Sequence, residues 1–191
     1  MQSIGVLTIG EEQKHKEDLI KVIEAASDYF PTETWDAIEC LGELRLEHDL
    51  KIAMNNSSNE AFLFQQLINK VRRMKSSNKS SGLLLGVTSN PIVAMYHFFD
   101  RTSFKRAIFL VHDYVDENVG VVSFFHVNNK FSSKLVAHGL GHNRGLRHHT
   151  EPIDLMYSEL LRASTLQVDG FCEACQRKLT EETTNTGPHT H

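Results

Sequence analysis

His138-Gly139-Leu140-Gly141-His142-Asn143-Arg144-Gly145-Leu146-Arg147-His148 is the stretch on which the reading of this chain turns. Two histidines four apart lie one above the other on a helix face, where they can share one metal ion. Gly145 follows, and glycine is the residue that ends a helix at positive φ and turns the chain back, so that His148 can meet the same ion. Three imidazoles with a further position left for water make a zinc site of the catalytic type. The helix is expected to begin after Ser132 or Ser133, either a fair N-cap, with Lys134 in its first turn. Gly139-x-Gly141-x-x-x-Gly145 is not a dinucleotide loop: its spacing misses G-x-G-x-x-G by one residue, and no strand-plus-helix unit leads from it to a ribose-binding acid.

Working outward, Ile4–Ile9 is short, β-branched and bounded by Gly10, the pattern of a buried strand. Leu19, Val22, Ile23, Ala26, Tyr29 and Phe30 recur at helical spacing before Pro31, which predicts a helix over about 11–29. Trp35–Leu46 reads as a half-exposed strand and 55–59 as a loop. Ser57 and Glu60 stand at capping-box spacing and are expected to open a second helix with Ala61, Phe64, Leu67, Ile68, Val71 and Met74 on its face. Strands follow at Gly82–Thr88, Ala107–His112 and Val119–Val127. The fold class is α/β (α+β) with a mixed sheet, organised as one domain over 1–179 and a polar, disordered tail over 180–191.

Composition sets outer limits. With 191 residues, 40% of them hydrophobic, there is apolar surface for one sizeable core. Twenty Lys+Arg against 24 Asp+Glu give a net charge of −4, and a pI near 6.2 argues against a broad grip on nucleic-acid phosphates. No apolar run approaches the ~20 residues that span a bilayer, so no membrane role is expected. The start lacks the basic leader and cleavage site of a secretory signal, which makes the cytoplasm the expected compartment. Three cysteines cannot build a disulfide framework, but Cys172 and Cys175 have C-x-x-C spacing suited to metal or redox chemistry; Cys40 is expected to be a small buried hydrophobe. His97, His112 and His126 lie on or beside apolar segments and read as core or edge histidines. Nothing in the sequence marks an oligomeric state.

The histidine stretch resembles the metzincin signature H-E-x-x-H-x-x-G-x-x-H, and Met156, eight residues beyond His148, stands where that clan has its Met-turn. Over about residues 3–179 the chain is similar to the archaemetzincins. The resemblance implies a zinc-binding metallopeptidase fold, an edge strand at Val119–Phe125 along which an extended peptide would pair, and one zinc held by His138, His142 and His148. It also implies a second zinc where the family has four cysteines; here those positions are His149, Asp154, Cys172 and Cys175, all competent ligands. A plainer reading leaves the two cysteines as a remnant pair.

One position departs from the pattern. The glutamate expected after the first histidine is Gly139. In zinc peptidases that carboxylate takes a proton from the water the metal activates and returns it to the leaving amine. Its absence points to a zinc-binding peptidase homologue with little or no turnover. Two alternatives stand beside that reading: an active hydrolase using another base, for which Glu151, Asp154 and Glu159 are the nearby carboxylates, and a non-enzymatic, metal-responsive binding protein. If the space at 139 is open, Gly139→Glu is expected to raise activity.

Overall fold

The computed structural model describes residues 2–10, 13–54, 56–78, 82–100, 103–161 and 169–185. In chain order the elements are β1 (Gln2–Ile9), α1 (Gln13–Ser27), β2 (Trp35–Leu44), β3 (Leu50–Met54), β4 (Ser57–Leu63), α2 (Phe64–Asn78) and β5 (Leu83–Thr88). Then come β6 (Ile92–Asp100), β7 (Ser103–Val111), β8 (Asp113–Val115), β9 (Val119–Ser123), α3 (Asn129–Asn143) and α4 (Glu173–Asn185). The mixed α/β class is as expected.

The main sheet has the order β2-β1-β5-β9-β8, parallel except for β8, which runs antiparallel to β9. β5 and β9 are buried along their whole length, because helices cover both faces. On one face Leu83, Leu85, Val87 and Val122 pack with Leu19, Ile23 and Ala26 of α1 and Leu135, Val136 and Leu140 of α3. On the other, Leu84, Val119 and Val121 pack with Leu67, Ile68 and Val71 of α2. The alternation of side chains along each strand thus feeds two cores. A second sheet, β3-β4-β6-β7, stands beside the first.

Several expectations need correction. Ser57 and Glu60 do not cap a helix; they lie in β4, where Met54 pairs with Ser57 and Lys51 with Glu60. Asn56, at φ 63, lies in the turn of this hairpin, and Ser57–Asn59, expected as loop, are strand. α2 begins only at Phe64, just after Leu63 N–H donates to Asp49 Oδ2 at 2.8 Å. β3, β6 and β8 were not expected at all. β9 is interior, between β5 and β8, so Val119–Phe125 is not an edge; the three residues of β8 close that side. Cys40 is exposed, since β2 is the outer strand of its sheet. α4 runs to Asn185, past Thr180 where disorder was expected, and 186–191 lie outside the described residues. No helix among the described residues is long and apolar enough to cross a membrane.

Candidate metal centre

α3 begins at Asn129, five residues before Lys134. Asn128, in extended conformation at ψ 138, is its N-cap, and its Oδ1 accepts from Lys130 N–H at 3.0 Å. Ser132 is therefore inside the first turns and buried, not a cap. The other end matches the sequence reading. Gly145, at φ 71, sends its N–H to His142 O at 2.9 Å, and Leu146 N–H reaches Gly141 O at 2.9 Å. These two bonds make a Schellman closure, which needs the left-handed backbone glycine supplies. Leu146 drops into the core and Arg147-His148 swing back over the helix end.

The reversal brings three imidazoles together. His138 Nε2 lies 3.1 Å from His148 Nε2 and 3.2 Å from His142 Nε2, and the last pair are 2.9 Å apart. Nitrogens bound at ~2.0–2.1 Å to one tetrahedral zinc stand ~3.3 Å apart, so the triangle is close to zinc size. Hydrogen bonding on the far side of two rings assigns the tautomers. His138 Nδ1 donates to Leu155 O at 2.6 Å and His142 Nδ1 to Leu146 O at 3.0 Å, and a carbonyl can only accept. Their Nε2 atoms are then bare lone pairs facing each other and His148, free to bind a cation placed among them. Burial lowers the pKa of all three; for His138 the Leu155 carbonyl and Asp154 oppose it, while for His142 and His148 the neighbouring His138 adds to it. Neutral imidazoles are the form that binds metal.

Met156, which the resemblance places in a Met-turn, is fully buried against α3. Its Sδ is 2.6 Å from where a Cβ on Gly141 would be, so glycine at 141 is what lets the methionine approach α3. The chain continues alongside the third histidine: His149 N–H donates to Met156 O at 2.8 Å and Ser158 N–H to His149 O at 3.0 Å.

The four residues of the second group also lie together. His149, Asp154, Cys172 and Cys175 place one ligand atom each within 4.8 Å of one another. His149 Nε2 is 3.3 Å from Cys175 Sγ, 3.4 Å from Asp154 Oδ2 and 3.7 Å from Cys172 Sγ. Asp154 has no exposed surface. Burial by itself would raise its pKa, but the Cys172 and Met156 N–H groups, at 3.0 and 2.8 Å, and the cysteine thiols hold it below the carboxylate range. Burial, followed by that carboxylate, pushes the Cys175 thiol up to about 12. A thiol so placed keeps its proton unless a cation joins the group, and a bound metal reverses that balance. Both donor sets suit zinc: three nitrogens in one, and two sulfurs, a nitrogen and a carboxylate in the other.

His138 of the three-histidine group lines a cleft of about 1150 Å³, together with β3, Arg106, Ile108–Asp113 and Tyr157–Leu161. Residues 106–113 run from β7, the outer strand of the second sheet, into β8, so an extended edge flanks the cleft. Glu159 lines it, whereas Glu151 is exposed and Asp154 is engaged in the second group. His97 stacks on Phe104 at 5.1 Å and His126 lies tilted against Phe125 at 4.1 Å, outside both groups. Asp113 also lines the cleft, and no feature of the sequence had drawn attention to it. Burial raises its pKa to about 6, against the pull of His142, His112 and His148.

A sheet with helices on both faces, with the histidine triad at the end of one helix, gives a fold similar to that of solved archaemetzincin and zinc-dependent peptidase structures. The archaemetzincin of Methanopyrus kandleri superposes with a TM-score of 0.64, covering 96% of each chain at 17% identity. A zinc-dependent peptidase of Methanocorpusculum labreanum covers 93% of this chain and 100% of its own (TM-score 0.57, 17% identity). The archaemetzincin of Archaeoglobus fulgidus, in complex with malonate, covers 93% and 99% (TM-score 0.52, 14% identity). No protein-family model and no curated protein sequence matches the chain.

Proposed function

We propose that this chain is a zinc-binding metallopeptidase homologue that takes an extended peptide in its cleft and hydrolyses it far more slowly than a peptidase with a helix glutamate. The observation that carries this reading is the convergence of three Nε2 atoms within 3.2 Å of one another beside an open cleft. His138, His142 and His148 would hold the zinc, and Leu155 O and Leu146 O orient two of the rings. Bound there, zinc supplies a Lewis acid and lowers the pKa of a water ligand toward ~7. His149, Asp154, Cys172 and Cys175 would hold a second zinc with a structural role, tying the start of α4 to the Met-turn. A reducing compartment such as the cytoplasm, which keeps Cys172 and Cys175 as thiols, suits that site.

The edge formed by 106–113 offers backbone groups to an extended peptide, and edge pairing is a recurrent way to dock one. Slowness follows from Gly139. Losing a positioned acid/base group forfeits ~10²- to 10⁴-fold in rate. Zinc-loaded and chelator-treated protein, assayed against a library of quenched fluorescent peptides, test the reading: weak, zinc-dependent cleavage is expected. Cleavage at an ordinary peptidase rate would contradict the slowness, and cleavage indifferent to the chelator would contradict the zinc chemistry.

A further inference from the structure

The position that lacks a carboxylate on α3 faces one on β8. A Cβ built on Gly139 would lie 3.3 Å from Asp113 Oδ2, 3.8 Å from Asp113 Cβ and 2.8 Å from Val115 Cγ2. Two side chains of one short strand therefore occupy the space in which a residue-139 side chain would start. They arrive together for a simple reason. β8 pairs with β9 at Asp113↔Val122, Tyr114↔Val121 and Val115↔Gly120, so residues 113 and 115 share a face and Tyr114 takes the other. Tyr114 packs edge-on against Phe64, with ring centroids 5.1 Å apart, on the α2 side. Asp113 and Val115 are thereby turned toward α3.

We infer that Asp113 is the general base of this protein, supplying from the strand the carboxylate that α3 lacks. The inference rests on the zinc-hydrolase reading above and names the group through which its slow turnover runs. Asp113 lines the same cleft as His138, at the helix position following that histidine. The other nearby carboxylates do not meet Gly139: Asp154 accepts from Met156 and Cys172 N–H, Glu151 is exposed, and neither it nor Glu159 is among the atoms closest to that position. In the step assigned to Asp113, the oxygen of a water bonds to the scissile carbonyl carbon while one of its protons passes to the Asp113 carboxylate. The C–N bond then breaks as that proton passes to the leaving nitrogen, which yields a carboxylic acid and an amine and restores the carboxylate. Gly139 and Asp113 are complementary here, because a side chain at 139 would have to displace the present side chains of β8.

Asp113→Asn keeps the shape of the side chain and removes its basicity. Zinc-loaded Asp113→Asn is expected to retain the zinc content and melting temperature of the parent and to lose ~100-fold or more of the hydrolysis rate. A second readout does not depend on turnover: in the cobalt-substituted protein, the pH midpoint of the visible spectrum should shift by about one unit or more on Asp113→Asn, since the carboxylate next to the metal is gone. The triple variant Asp113→Ala, Val115→Ala, Gly139→Glu moves the carboxylate to the helix and is expected to exceed the Asp113→Ala, Val115→Ala double variant at least tenfold. Unchanged rate and unchanged cobalt midpoint in Asp113→Asn would overturn the inference. If zinc binds and hydrolysis depends on His142 but not on Asp113, this inference falls and the zinc-hydrolase reading stands. Zinc-replete protein without any His142-dependent hydrolysis overturns the inference as well, and protein that binds no zinc at the triad overturns both.

Discussion

Replacing Gly139 measures how firmly β8 has closed over the position. Taken alone, Gly→Ala in a helix interior gains ~1 kcal/mol. At this site the new methyl would stand 2.8 Å from Val115 Cγ2, well inside contact distance, and Val115 is nearly buried and branched, with no flexible end to swing aside. Inserting a methyl group into such packing costs ~1–3 kcal/mol. The two effects oppose each other, so Gly139→Ala is expected to change stability by between ~0 and ~2 kcal/mol in the destabilising direction. The cycle with Val115→Ala separates them. Once Cγ2 is removed the helix gain should emerge, giving a favourable coupling of ~1–2 kcal/mol between the two substitutions. Urea denaturation of metal-free protein, for the parent, both single variants and the double variant, provides the four stabilities. By the same packing, Gly139→Glu alone is expected to be destabilised and to gain no peptidase activity, contrary to the simple expectation from sequence. A Gly139→Ala protein stabilised by the full ~1 kcal/mol, with coupling within ~0.5 kcal/mol of zero, would refute this account of the space.

Two further outcomes are expected. The Cys172→Ser, Cys175→Ser double variant should lose one zinc equivalent and become sensitive to protease after about residue 150, because Cys172 N–H and the thiols hold Asp154 and, through Asp154 Oδ1, the Met-turn; unchanged metal content and cleavage pattern would count against the second site. In the metal-free protein, the lowered pKa values of His138, His142 and His148 mean that the unfolded chain binds more protons below pH ~6.5, so stability should fall as pH drops from 7.5 toward 5.5. Asp113, raised to about 6, acts in the opposite direction but, with His112 also lowered by burial, is one group against four, and melting curves across that range that rise toward acid would contradict the assignment.

What the sequence reveals and what it hides follow from the range of the interactions. The histidine triad was legible because its geometry is local: a four-residue helical step, a glycine closure at Gly145 and a return of three residues bring His138, His142 and His148 together. The buried strands β1, β5 and β9 were legible as unbroken apolar runs. The β3–β4 hairpin was misread because Ser57 and Glu60 match a helix start as well as they match strand positions, and only their pairing with Met54 and Lys51 decides between the two. β6 depends likewise on partners far along the chain. Asp113 is 25 residues before His138 and on a different element, so its approach to Gly139 exists only through the packing of β8 on β9 and α3. The carboxylates near the histidines in sequence, Glu151, Asp154 and Glu159, are not the one that meets Gly139.

The central claim is that three histidines bind one zinc ion together, and metal content at the triad tests it most directly. Anomalous scattering at the zinc edge from crystals of the parent and of His142→Ala, combined with zinc affinity in solution, resolves the triad from the cysteine-containing group. A zinc peak among His138, His142 and His148 in the parent is expected, lost or greatly weakened in His142→Ala while the signal beside Cys172 and Cys175 is unchanged. An undiminished peak and undiminished affinity at the triad in His142→Ala, or no peak there in zinc-supplied parent protein, would contradict it.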